Sequence, residues 1–157
     1  MYLRNFEQHK NRFMVPPSLC DRIEIGTCHL HQKEVSTFNM ALGILDRQFK
    51  KDGIYPSKLP TIRCQFIDVD FVDIGFEMDS VFGTLFLLIF YRMNRIREYI
   101  DLNPCYLLWV YLEELCHYYY NISDEILVKV KVLTMIQEFQ PDHYPNALYI
   151  AKEYGIN

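Results

Sequence analysis

The segment from Pro104 to Tyr120 constrains the fold more than any other part of the chain. Every residue between Cys105 and Leu112 is apolar or aromatic, and apolar residues predominate from there to Tyr120. Asn103 followed by Pro104 is typical of a helix start, because the asparagine side chain can cap the first turn and proline is tolerated there. We therefore predict a helix over 104–120, most of whose circumference must be covered by the rest of the domain.

The composition supplies enough apolar material to cover such a helix. The chain has 157 residues, of which 50% are hydrophobic and 15% aromatic. This length suits a single domain with its own core, and the apolar content excludes a disordered chain. Lys and Arg number 16 against 20 Asp and Glu, for a formal charge of -4, so we expect no direct nucleic-acid binding.

The sequence also predicts a soluble, cytoplasmic protein. The longest uncharged apolar stretch near the middle, Ser80 to Tyr91, is shorter than the roughly 20 residues that a membrane-spanning helix needs. Residues 1–12 carry charges throughout, unlike a secretory signal. Five cysteines without a CxxC pair indicate reduced intracellular thiols that pack as small hydrophobic side chains.

Hydrophobic periodicity predicts an α+β fold, with a small mixed or antiparallel sheet packed against helices in a single domain. The predicted elements are a helix over 2–14, a strand over 22–30, a helix over 35–51, strands over 61–71 and 95–102, and the helix over 104–120. The apolar run over 80–93 fits either a strand or a helix. Residues 126–136 alternate β-branched and other residues, and by pattern alone they could form a strand.

The strongly polar side chains of the 104–120 helix and its end fall on one stripe. They are Glu113, Glu114, His117 and Asn121, at spacings that share a helix face. One interpretation is a solvent-facing edge in which His117 pairs with Glu113 one turn earlier. The other is a functional site, because side chains at i and i+4 can hold one metal ion while Glu114 acts beside it as a base.

The segment VYLEELCHYYYNISDE, residues 110–125, resembles the active-site helix of the zincin metallopeptidases, whose signature is HExxH on a helix. Here the motif is Glu113-Glu114-Leu115-Cys116-His117, with glutamate in place of the first histidine. Glu125, after a short connection, resembles the third ligand of the gluzincin branch. The resemblance covers residues 35–139 in the order of elements and implies that 123–139 is a second helix.

The resemblance divides the chain into an N-terminal helix and strand (1–34), a zincin-like core (35–139) and a C-terminal helix or tail (140–157). It implies Glu113, His117 and Glu125 as metal ligands and Glu114 as the general base. Two carboxylates and one imidazole favour Mn²⁺ or Fe²⁺ over Zn²⁺ and make the metal a poorer Lewis acid.

Glu125 has a simpler explanation as well. Ser123 is a good N-cap, and acidic residues at 124 and 125 would then lie in the first turn of a helix, where the helix dipole favours them. This role requires no metal.

Two functional hypotheses follow from the altered motif. The first is a degenerate, non-peptidase zincin-like protein that holds no metal and binds a protein partner, such as a phage or mobile-element product that inhibits a host system. The second is a metal-dependent hydrolase that uses Glu113, His117 and Glu125 to hold a divalent ion and Glu114 as base. The loss of the first ligand histidine favours the first hypothesis.

Overall fold

The computed structural model describes residues 2–4, 13–70, 72–75, 87–100 and 103–156. The helices in these residues are α1 (Gln32–Lys51), α2 (Met93–Ile100), α3 (Pro104–Tyr119), α4 (Glu125–Phe139) and α5 (Tyr144–Glu153). The strands are β1 (Tyr2–Arg4), β2 (Ile23–Gly26), β3 (Ile62–Ile67), β4 (Asp73–Gly75) and β5 (Leu87–Arg92). No helix among the described residues is both long and apolar enough to cross a membrane.

The main sheet is three-stranded and parallel, in the order β2-β3-β5, with Ile62 of β3 in register with Ile23 and Leu87. Parallel neighbours require a long connection, and α1 provides it between β2 and β3. Antiparallel pairing in the described residues is confined to β1 and β4. The predicted α+β class with a small sheet packed against helices is therefore confirmed, and its main sheet is parallel.

The sheet and the helices share one hydrophobic core. Alternate residues of β3 point into it, and Phe66 is fully buried. Its ring lies 4.9 Å from the rings of both Phe38 on α1 and Tyr91 on β5. The Tyr91 hydroxyl donates a hydrogen bond to the carbonyl of Tyr111 on α3, at 3.2 Å. Through these contacts, both α1 and α3 pack against the sheet.

The helix at 104–120 and its cap are confirmed. The Asn103 side chain accepts a hydrogen bond from the backbone N–H of Cys105 at 2.9 Å, and α3 ends at Tyr119. The helix predicted over 35–51 begins three residues earlier, at Gln32, where the His31 N–H donates to the Glu34 carboxylate at 2.7 Å. The strands predicted over 22–30 and 61–71 are present but shorter, and part of the 80–93 run is strand β5.

The helix predicted over 2–14 is wrong where the structure describes it. Residues 2–4 are a strand paired antiparallel with β4, and 13–16 are not helical, while 5–12 lie outside the described residues. Backbone pairing with a segment some 70 residues away overrides the local pattern here.

The strand predicted over 95–102 is also wrong where the structure describes it, because residues 93–100 form helix α2, while 101 and 102 lie outside the described residues. Met93 and Arg97, one helical turn apart, both have partners elsewhere in the fold. Met93 is fully buried, and the Arg97 guanidinium binds the buried Glu34 carboxylate at 2.7 and 2.9 Å. These inward contacts follow a helical period, so the segment packs as a helix.

Of the five cysteines, Cys20 is exposed and the other four are buried. Burial raises the pKa of Cys28 to about 12 and that of Cys116 to about 12, so both are neutral near pH 7. The prediction that the cysteines pack as small hydrophobic residues is confirmed for the four buried ones.

Candidate functional site

The turn between α3 and α4 places the predicted site residues on facing helices. Asn121 adopts a left-handed conformation with φ 51°, which asparagine tolerates better than most residues. The Ile122 N–H then donates to the His117 carbonyl at 3.1 Å, which closes the end of α3. Asp124, rather than the predicted Ser123, caps α4, because its side chain accepts from the N–H groups of 126 and 127.

His117 is held in one orientation by the same turn. Its Nδ1 lies 2.6 Å from the carbonyl oxygen of Ile122, so Nδ1 carries the hydrogen and donates. Nε2 is then the ring atom that faces α4, and it lies 3.6 Å from Oε1 of Glu125. A backbone carbonyl that orients an imidazole in this way is common at metal sites.

The structure brings the three predicted ligands together. Glu113, His117 and Glu125 each offer one ligand atom, and these atoms lie within 4.8 Å of one another. Glu113 and His117 are partly buried, whereas the Glu125 side chain is 68% exposed. The three residues therefore lie close together, and their role as metal ligands stays a prediction.

A lysine from α4 lies between the two carboxylates. Lys129 Nζ is 2.8 Å from Oε1 of Glu113 and 2.7 Å from Oε2 of Glu125, and the lysine is 8% exposed. The ring of Tyr154 lies 5.1 Å from the same ammonium. The indole N–H of Trp109 donates to Oε2 of Glu113 at 2.8 Å, so both oxygens of this carboxylate already have partners.

The electrostatics keep this lysine charged. Burial alone would lower the pKa of Lys129, but the hydrogen bonds and charges of Glu113 and Glu125 outweigh it and raise the pKa. In turn, the hydrogen bond from Lys129 lowers the pKa of Glu125. A divalent ion bound by the trio would therefore lie beside a permanent positive charge, which opposes its binding.

Glu114, the predicted general base, is half-buried next to the trio. Burial raises its pKa, the nearby Glu113 and Glu125 add to the effect, and His117 opposes it. A carboxylate with a raised pKa suits a general base, and it also results from burial alone. The shift is therefore compatible with both functional hypotheses.

A cavity of about 340 Å³ opens beside the histidine. It is lined by Leu87, His117, Tyr118, Asn121, Ile122 and Ser123. Neither carboxylate of the trio lines it, so the cavity borders the predicted site without enclosing it.

The predictions from the sequence did not include Lys129, and they assigned Glu113 a different ion-pair partner. Glu113 pairs with Lys129 and Trp109, whereas the solvent-edge interpretation paired it with His117. The signal was present in the sequence, since Glu125 and Lys129 are four residues apart in an otherwise apolar segment. Glutamate four residues before lysine is a favourable pair on a helix.

No protein-family model, curated protein or solved structure matches this chain.

Proposed function

We propose that this chain is a zincin-like protein without peptidase activity, which acts by binding a protein partner. The observation that supports this most directly is the position of Lys129. Its ammonium makes the contacts with Glu113 and Glu125 that a metal ion would make in a hydrolase.

An ammonium cannot replace the chemistry of the metal. A catalytic metal has an open position for water, lowers the pKa of that water and polarises the substrate carbonyl. Lys129 offers three N–H donors and no vacant orbital, so it can hold the two carboxylates but cannot activate water. The cation at this site thus links α3 to α4 rather than providing reactivity.

Partner binding is supported by the exposed side of α4. Ile126 and Leu127 are 63% and 61% exposed, and Val130, one turn further along, is 41% exposed. They follow directly after Glu125, so the apolar surface adjoins the site. Apolar side chains clustered on one exposed surface are typical of a protein contact.

The second candidate function is the metal-dependent hydrolase. It is favoured by the ligand atoms of Glu113, His117 and Glu125, which lie within 4.8 Å of one another, and by the contact of His117 Nδ1 with the Ile122 carbonyl, which fixes the ring orientation. In that case Lys129 would have to leave the carboxylates when a Zn²⁺, Mn²⁺ or Fe²⁺ ion bound, and Glu114 would take the proton from water.

Metal titration of matched variants separates the two candidates. Zn²⁺ and Mn²⁺ are titrated into the wild type, Lys129→Met and Lys129→Met/Glu113→His, and peptidase activity is assayed in parallel. We expect no stoichiometric binding and no hydrolysis by the wild type. We expect tight Zn²⁺ binding by the double variant, because it restores two imidazoles and removes the ammonium.

Two other results would each contradict a different part of the proposed function. Metal-dependent hydrolysis by the wild type, lost in Glu114→Gln and in Glu125→Ala, would establish the hydrolase. A folded double variant that binds no Zn²⁺ would remove the support for a zincin-like ligand arrangement. The role as a phage or mobile-element inhibitor of a host system stays a prediction.

A further inference from the structure

Three tyrosines lie close to one glutamate where α5 packs against α3. The Tyr106 hydroxyl on α3 donates a hydrogen bond to Oε2 of Glu153 on α5, at 2.6 Å. Tyr149 lies one helical turn before Glu153 on α5, and Tyr154 follows directly after it. Tyr149 and Tyr154 are 63% and 55% exposed. We refer to these four residues as the tyrosine–glutamate cluster.

The glutamate of the cluster has capacity for a further hydrogen bond. Its bond with Tyr106 raises the pKa of that tyrosine to about 12, and burial and the hydroxyls of Tyr149 and Tyr154 add to the effect. Tyr106 is therefore a neutral donor near pH 7. Oε1 of Glu153 has no hydrogen-bond partner in the part of the chain that the structure describes, so this oxygen is available to a ligand.

One ring of the cluster already lies beside a cation. The ammonium of Lys129 is 5.1 Å from the centre of the Tyr154 ring. The negative face of an aromatic ring attracts a cation at this distance. Among the described residues, no lysine or arginine lies over the Tyr149 ring, so this ring can receive a cation from another molecule.

The charge around the cluster favours a cationic partner. Lys129 is outnumbered by the carboxylates of Glu113 and Glu125 that bind it. Glu153 adds a further carboxylate, and Lys152 is exposed at the neighbouring position of α5. The carboxylates therefore outnumber the ammonium groups here, in a chain whose formal charge is -4. Opposite charge across an interface speeds association and suppresses wrong partners.

We propose that the tyrosine–glutamate cluster binds an arginine side chain of a protein partner. A guanidinium is planar, so it can stack on a tyrosine ring while its parallel N–H groups donate to a carboxylate. In this arrangement the guanidinium lies on the Tyr149 ring and donates to Glu153. The inference rests on the proposed function, which assigns a protein partner to this chain, and it names the chemistry of that partner.

Backbone amide NMR of the isotope-labelled full chain tests this, with a capped tetra-arginine peptide as the titrated probe. We expect saturable shifts that centre on the amide signals of residues 149 and 153. A capped tetra-lysine peptide carries the same charge and should bind more weakly. The reason is that an ammonium lacks the planar shape that matches a ring and a carboxylate together.

Two variants identify the groups that bind the peptide. Tyr149→Ser removes the ring and should weaken binding about two- to fivefold. Glu153→Gln removes the charge and should have an effect of similar size. The matched controls are Tyr55→Ser and Glu24→Gln, which remove an exposed tyrosine and an exposed glutamate outside the cluster and should bind like the wild type.

Several results would overturn the arginine site. They are a wild type without saturable shifts, shifts that centre away from α5, a tetra-lysine peptide that binds as tightly as tetra-arginine, and control variants that lose as much affinity as Tyr149→Ser. The same spectra show whether each variant is folded. A metal-free, inactive wild type that binds no peptide would overturn this inference alone, whereas peptide binding by a wild type with catalytic metal would overturn the proposed function alone.

Discussion

Lys129 on α4 and Glu113 on α3 form an ion pair across the interface of the two helices, with Nζ 2.8 Å from Oε1 and side chains only 10% and 16% exposed. In the proposed resemblance to the zincins, Glu113 stands at the position of the first histidine of the HExxH motif. A carboxylate at this position provides the partner that the buried Lys129 ammonium requires.

Replacing Lys129 with Met should destabilise the fold by about 3 kcal/mol, because removal of one member of a buried pair leaves the other charge uncompensated. Urea denaturation measures the change, and fluorescence of Trp109, the only tryptophan, reports on the site because its indole bonds to Glu113. The control is Glu113→Gln on the Lys129→Met background, which should recover much of the loss. A Lys129→Met protein as stable as the wild type would show that the pair contributes nothing.

Glu114→Gln should stabilise the protein at neutral pH. Burial raises the folded-state pKa of Glu114 above its ordinary value of 4.5, so the folded state keeps this proton to a higher pH than the unfolded state. The stability that the protonated carboxyl contributes is complete below the unfolded pKa and is lost as pH rises through the folded pKa. Glutamine resembles the protonated form and avoids this loss.

The measurement is the urea midpoint of wild type and Glu114→Gln as a function of pH. The two curves should coincide below pH 4.5 and separate above it, with the variant more stable. Curves that stay parallel at all pH values would mean that ionisation of Glu114 does not change the free energy of unfolding.

Arg97→Ala should cost about 3 kcal/mol, because Glu34 is fully buried and its carboxylate is bound by the Arg97 guanidinium through two hydrogen bonds. Arg97→Lys should recover only part of this, since an ammonium cannot bind both oxygens in the same way. The matched control is Arg95→Ala, whose exposed pair with Glu98 should contribute little to stability. Equal losses at 95 and 97, measured by urea denaturation, would contradict the buried-pair explanation.

Gly26→Ala should destabilise the sheet by about 1–3 kcal/mol. A Cβ at this position would lie 2.1 Å from Oε1 of Gln65 on the neighbouring strand, and Gln65 is fully buried, so it has little room to move. Gln65→Ala should rescue Gly26→Ala. In contrast, Gln65→Leu alone should be neutral or stabilising, because within the described part of the chain neither polar atom of its amide has a hydrogen-bond partner. Thermal unfolding of the three variants checks both expectations.

Interactions between residues that are close in the sequence were enough to predict some elements of the fold. Asn103 and Pro104 mark the start of α3 because the capping contact joins residues only two apart. Helix α2 was missed because its inward face depends on Arg97 meeting Glu34, 63 residues earlier in the chain. Strand β1 likewise exists through pairing with β4. Contacts between residues so far apart in the chain produce no hydrophobic periodicity in the sequence around either residue.

The residues of the candidate site likewise include some that the sequence predicted and one that it did not. Spacing along one helix was enough to place Glu113 and His117 together. Glu125 came from the resemblance to zincins, and the turn at Asn121 brings it to the other two. Lys129 was missed because burial of a lysine depends on carboxylates supplied by two helices, and most lysines are exposed.

If the Lys129 ammonium is the cation of this site, wild-type protein should hold no metal ion. This is tested by measuring the metal content, by elemental analysis, of wild-type protein that is expressed in medium supplemented with Zn²⁺, Mn²⁺ and Fe²⁺ and purified without chelator. We expect far less than one metal ion per chain, unchanged in Glu125→Ala. One tightly bound ion per wild-type chain that disappears in Glu125→Ala would contradict it.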